Sequence, residues 1–128
     1  MSDHDLRSLI EAADRAITEE NFDALMEFYA DDATLVVRPG QTATGKTQIR
    51  KAFEAIAAHF KNRITVRQGR MQVIEGGDTA LVVMETILEI PQEDDPVVRR
   101  ATYVFRRSAA GGWLCVVDNS YGTALLDV

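Results

Sequence analysis

Tyr29-Ala30-Asp31-Asp32-Ala33-Thr34-Leu35-Val36-Val37-Arg38-Pro39-Gly40, a polar loop, and then Gly45-Lys46-Thr47-Gln48-Ile49-Arg50 leading to Phe60 form the stretch whose reading decides the fold. Before it, apolar residues recur at helical spacing, and after Phe60 they alternate like strands. The segment therefore joins helices to a sheet, and it is expected to form the mouth of a cavity.

Upstream, Leu6, Leu9, Ile10, Ala13 and Ile17 make one apolar stripe, with Asp3, Asp5, Glu11, Asp14, Glu19 and Glu20 mostly off it. Ser2 or Asp3 can cap this helix. Asn21 or Asp23 restarts the chain as a short helix in which Phe22, Leu25, Met26 and Tyr29 share a face, and Asp31-Asp32 is expected to end it. Ala33 to Arg38 is rich in β-branched residues and predicts a strand stopped by Pro39-Gly40. A third helix is predicted from about Lys46, with Ile49, Phe53, Ile56 and Phe60 on its buried side.

Downstream, four strand-like runs follow: Ile64 to Ile74, Thr79 to Ile90, Val97 to Arg107 and Trp113 to Ser120. Glu75-Gly76-Gly77-Asp78, Pro91 to Pro96 and Ala109-Ala110-Gly111-Gly112 join them. Strands this long must curve, and Gly69 is a candidate bulge. Tight turns at Gly76-Gly77 and Gly111-Gly112 put Arg70 opposite about Val83 and Tyr103 opposite about Val117. One face then carries Met71, Val73, Ala80, Val82, Met84, Leu88, Tyr103, Phe105, Trp113, Cys115, Val117 and Asn119, and this is expected to be the concave, helix-covered side. The opposite face carries Gln68, Arg70, Glu85, Thr102, Arg106 and Asp118. A slip of one residue between the hairpins exchanges the two assignments.

At 128 residues the chain is read as one domain, 1–128, able to bury its own core. Its single cysteine, Cys115, sits among Leu114, Val116 and Val117 and reads as a buried hydrophobe, so no disulfide framework is present and a reducing, cytoplasmic location is expected. The acidic N-terminus has no signal-peptide character, and no run is long enough to span a membrane. Fourteen basic against 20 acidic residues give a net charge of -6, which disfavours nucleic acid and anionic lipid as partners.

Gly40 to Thr47 satisfies the phosphate-loop pattern G-x-x-x-x-G-K-[ST], which offers nucleotide binding as a remote alternative. That motif belongs to a parallel sheet with crossover helices, and no helix is predicted after Phe60. His4 and His59 are the only histidines and have no ligand spacing, so no metal or other cofactor is expected. Asp31-Asp32 and Asp118 read as turn or cap residues. Glu85 interrupts an apolar run; a structural or subunit-interface role, satisfied by Gln68 opposite, is favoured over a catalytic one.

The first helix, Asn21-Phe22-Asp23, Tyr29-Ala30-Asp31-Asp32-Ala33-Thr34, Gly45-Lys46 leading into Ile49-Arg50-Lys51-Ala52-Phe53, and the closing Gly112-Trp113 strand together resemble the nuclear-transport-factor-two-like superfamily, which includes SnoaL-like and ketosteroid-isomerase-like proteins. Arg100-Ala101-Thr102-Tyr103-Val104-Phe105-Arg106 and Asp118 to Thr123 resemble the strand ends of small bacterial members. The resemblance implies an α+β, cone-shaped barrel: a curved antiparallel sheet wrapped around three N-terminal helices, with a pocket at the open end, dimeric through the sheet. It does not transfer the isomerase's catalytic set. No Asp or Glu occurs from Ala33 through Phe53 to act as base, and the isomerase's tyrosine and neutral aspartic acid fall at about Ala13 and Tyr103.

The expectation is a homodimer that binds a small organic molecule in an apolar pocket. The alternatives are an enzyme of isomerase, cyclase or hydrolase type and a non-catalytic binding or dimerisation module. Tyr103 and Asn119 are the candidate hydrogen-bonding groups deep in the pocket. Arg38 is the candidate rim cation, and Tyr29, Phe60, Met84 and Phe105 are the candidate walls.

Overall fold

The computed structural model describes residues 3–60, 65–90 and 94–127. Helix α1 (Asp3–Glu19) forms on the predicted stripe, with Leu6, Ile10, Ala13 and Ala16 buried. It ends where Glu20 enters the left-handed region and the Asn21 amide bonds back to the Ala16 carbonyl, 2.9 Å. The Asn21 side chain then caps helix α2 (Phe22–Met26) by accepting from the Ala24 amide, 3.2 Å.

Strand β1 runs over Tyr29–Arg38 and starts earlier than the sequence predicts. Asp31-Asp32 does not end the helix; both residues lie exposed in an irregular stretch of β1. The polar residues after Gly40 are not a loop. They form strand β2 (Gln41–Thr44), which folds back antiparallel on β1. Helix α3 (Lys46–Phe60) follows, and then β3 (Thr65–Gly76), β4 (Thr79–Glu89), β5 (Val97–Arg107), β6 (Trp113–Asn119) and a closing 3-10 helix, Gly122–Asp127. Ile64, predicted to open β3, and residues 91–93 of the last linker lie outside the described residues.

The six strands make one curved, unclosed sheet in the order β2-β1-β6-β5-β4-β3, with the helices against its concave face. The expected antiparallel pairing holds throughout except in one place, where β1 lies parallel to β6. Concave residues Ala80, Val82 and Met84 of β4, Ala101, Tyr103 and Phe105 of β5, and Trp113 and Cys115 of β6 are all buried against the helices. Edge-to-face packing of Phe28 on both Tyr29 and Phe105 fills the centre.

Two bulges set which side chains enter the cone. Between Gln68↔Thr86 and Met71↔Met84, β3 carries one residue more than β4, so Gln68 turns to the concave side. Gly69 sits there, where an added Cβ would lie 2.9 Å from a Glu85 carboxylate oxygen and push that side chain aside. Between Val104↔Val117 and Phe105↔Cys115, β6 carries one residue more than β5. The expected faces are therefore exchanged beyond Cys115: Asp118, opposite Tyr103, points inward, while Val117 and Asn119 face outward.

The turn after β6 is equally constrained. Gly122 adopts φ +56°, and a Cβ there would stand 2.0 Å from the Arg100 carbonyl oxygen. Gly122→Ala is therefore expected to destabilise the fold by about 2 kcal/mol or more, measured by urea denaturation. A change within experimental error would show that the turn is free to rearrange.

Candidate functional site

Two carboxyl groups enter the cone from opposite walls. Asp14 lies on α1, four residues after Ile10 and three before Ile17, on the buried face and not off it. Asp118 is brought inward by the β6 bulge. Each is only 8 % exposed.

A chain of polar groups spans the space between them. Gln68 Nε2 donates to Asp14 Oδ2 at 2.8 Å, and Thr86 Oγ1 donates to Gln68 Oε1 at 3.1 Å. Tyr103 lies beside Thr86 on the same concave face, and its cross-strand partner is Asp118. On the far side, Tyr29 Oη donates to Asp118 Oδ2 at 2.6 Å, fully inside the protein.

The electrostatics follow from burial. Loss of hydration pushes the Asp118 carboxyl up to about 6, with the Tyr29 hydrogen bond opposing the rise. Asp14 is pushed further, to about 7, first by burial and then by the charges of Asp118 and Glu11; the Gln68 hydrogen bond and Arg15 work against the rise. Asp118 thus ionises first and helps Asp14 to keep its proton. Burial and the Asp118 charge hold the Tyr29 and Tyr103 hydroxyls well above the ordinary phenol range, with Asp14 adding to the rise at Tyr103, so both remain neutral donors. Asp14 and Gln68 also line a cleft of about 450 Å³ between α1 and β3.

The structure brings some of the sequence candidates to this site and not others. Tyr103 belongs to the polar chain, and its ring stacks at 6.0 Å on Phe105. Tyr29, Met84 and Phe105 are buried core beneath it. The side chain of Phe60 lies outside the described residues. Asn119 is removed from the concave face by the bulge; its amide donates to Thr102 Oγ1 and the Gly122 carbonyl, both at 3.2 Å, and its oxygen accepts from the Tyr121 amide. Arg38 is exposed in the β1–β2 hairpin and donates to Gln41 Oε1, 2.7 Å.

The remaining motifs are structural. Residues between Gly40 and Gly45 pair as β2, so their amides do not converge on a phosphate, and Lys46 lies 3.5 Å from Asp31. Glu85 faces outward, where it binds the Arg70 guanidinium and backbone amide across the β3 bulge. Arg70 therefore holds its carboxyl down at about 2. Gln68, expected to satisfy Glu85, serves Asp14 instead. Among the described residues no group of three or more His, Cys, Asp or Glu side chains is arranged to hold a metal ion, and no helix is long and apolar enough to cross a membrane.

Asp14, Gln68, Thr86 and Asp118 were not among the sequence candidates. For Asp14 a signal existed, since its spacing from Leu6, Ile10 and Ile17 is that of the buried stripe. For Asp118 and Gln68 no local signal exists, because both depend on bulges.

The fold has many solved counterparts. A structure of an NTF2-like protein with a cystatin-like fold from Novosphingobium aromaticivorans superposes with a TM-score of 0.79 at 22% identity, covering 96% of this chain and 87% of that one. An NTF2-like protein of unknown function from Pseudomonas putida gives 0.78 at 20% identity, over 91% and 82%. A candidate dehydratase of the NTF2-like family from Streptomyces avermitilis gives 0.72 at 22% identity, over 91% and 92%. At these identities the likeness shows the fold. No curated protein matches the sequence. The SnoaL-like domain model matches residues 6–117, and the chain accordingly belongs to the SnoaL-like domain family.

Proposed function

We propose that this chain is an acid–base enzyme that moves a proton on a small organic molecule held inside the cone, a reaction of isomerase or dehydratase type. The observation that carries the reading is the pair Asp14 and Asp118, both buried and both held near neutral pH, at the two ends of a row of polar side chains. Proton transfer is fastest when the donor and acceptor titrate near the working pH. Near pH 7 the pair supplies one of each: Asp118 largely ionised, as base, and Asp14 still partly protonated, as acid. Tyr103 is the neutral donor available to a developing oxyanion. The likeness to a candidate dehydratase and to a candidate ketosteroid isomerase from Shewanella frigidimarina supports the reaction class by fold analogy. A reducing cytoplasm suits the single buried thiol, Cys115.

Solvent-proton exchange into small ketones and enones in D2O, followed by proton NMR, tests this directly. Asp118→Asn is expected to slow exchange by about 100-fold or more. A non-catalytic binding module predicts saturable ligand binding with no exchange above buffer, and that result would replace the enzyme reading.

The pH dependence of stability has a definite sign. Because Asp14 and Asp118 titrate higher in the folded chain than in the unfolded one, the folded state binds more protons between about pH 4 and pH 7, and stability falls as pH rises through that window. Asp14→Asn is therefore expected to raise the Tm by about 5 °C at pH 8 and to change it little at pH 4. An equal effect at both pH values would show that Asp14 is not held protonated by burial.

The second proposal is a homodimer formed through the convex face of the sheet. Ile74 is 61 % exposed, and Leu81, Val83 and Val117 also face solvent. Leu81 pairs with both Ile74 and Val104, and Val104 with Val117, so the apolar patch is continuous across four strands. A second copy of the same face covers it in a closed two-fold contact. Leu81→Arg is expected to convert the dimer to a monomer in light-scattering chromatography, and a monomeric parent protein would remove the proposal.

A further inference from the structure

Arg99 is a cation on the inner side of β5. Its cross-strand partner is Thr86, so it shares the concave face with the polar chain of the site. Its guanidinium lies over the Tyr121 ring at 4.2 Å, and one nitrogen reaches Ser120 Oγ at 3.4 Å. Tyr121 is itself fixed, since its hydroxyl donates to the Val37 carbonyl at 3.2 Å. Arg7, Arg50, Arg67, Arg70 and Arg106 each lie against a carboxylate. Arg99 forms no such pair among the described residues; Arg15, Arg38, Arg100 and Arg107 share that property, but none of them is the cross-strand partner of a residue in the polar chain.

We propose that Arg99 recognises a carboxylate on the substrate, so that the molecule held between Asp14 and Asp118 is a small organic acid. This rests on the acid–base reading of the same interior. A guanidinium stacked on an aromatic ring is oriented without being neutralised, and it keeps a planar pair of N–H donors for a bidentate acceptor. Ser120, which Arg99 touches, follows Asp118 by two residues, or about 7 Å of extended chain. One small molecule can therefore place an anionic end on Arg99 and a reacting carbon at Asp118. No ion pair joins Asp118 to Arg99 among the described residues; the Asp118 Oδ2 is engaged by Tyr29.

The test uses a matched pair of probes, phenylacetate and phenylacetamide, titrated into the full chain by isothermal calorimetry and NMR, with inorganic phosphate as a control for non-specific anion binding. Phenylacetate is expected to bind at least about tenfold more tightly than the amide. Arg99→Gln should abolish that preference, Arg99→Lys should retain part of it, and Tyr121→Leu should weaken it by freeing the guanidinium. Equal binding of acid and amide, no binding of either, binding of phosphate as tight as phenylacetate, or a preference unchanged in Arg99→Gln would each overturn the assignment. The outcome is independent of turnover. A carboxylate preference in a protein whose Asp118→Asn variant shows no loss of proton exchange would leave Arg99 as the anion site and discard the acid–base reading alone.

Discussion

A carboxyl group can be buried only if donors meet it or if it holds its proton, and in this chain Asp118 does some of each. The Tyr29 hydroxyl supplies the one short hydrogen bond, and removal from water does the rest. That contact joins the first strand to the last, beside the only parallel pairing among the described strands. The polar chain through Tyr103, Thr86 and Gln68 to Asp14 is built outward from it. The apolar residues around the contact, Phe28, Phe105 and Cys115, do more than fill space. They exclude the water that would otherwise return the Asp118 carboxyl to its ordinary range.

The fold was largely legible in the sequence, and the reason is periodicity. The stripe Leu6, Ile10, Ala13 and the alternation through β4 and β5 report burial directly, and the β5 bounds Val97–Arg107 were predicted as observed. The site was legible only in part. Tyr103 could be placed on the concave face because nothing interrupts the alternation of its strand. Asp118 and Asn119 could not, because face assignment by counting from a turn fails after one unpaired residue, and β6 has such a residue at Val116. The same holds for Gln68 beyond Gly69. Asp14 was missed for another reason: a carboxylate within an apolar stripe was taken to point away from it, when its spacing placed it inside.

The two bulges have a common chemical effect. On a regular strand a polar residue that follows an inward apolar one points out. A single extra residue reverses this, and it lets a strand with an apolar inner face deliver one polar group to the interior without breaking the alternation before it. β3 does so with an amide and β6 with a carboxyl, and the outward residues released in exchange, Arg70 and Val117, join the ion pair with Glu85 and the apolar convex patch. The inner chemistry and the outer surface are thus set by the same two irregularities.

The parallel pairing of β1 with β6 also governs the order in which the molecule can assemble. Tyr29 and Asp118 are 89 residues apart, so closing that contact requires a long loop to be fixed before it is rewarded. During synthesis the β1–β2 hairpin and α3 emerge well before the strand that must lie beside them, while β3, β4 and β5 can pair among themselves. Without β6 the β1–β2 hairpin and the β3–β4–β5 segment share no strand pairing, and β6 is the strand that unites them. The buried Tyr29–Asp118 contact comes into being only with that strand, so a chain arrested before Trp113 holds most of its secondary structure and lacks the carboxyl around which its interior is arranged.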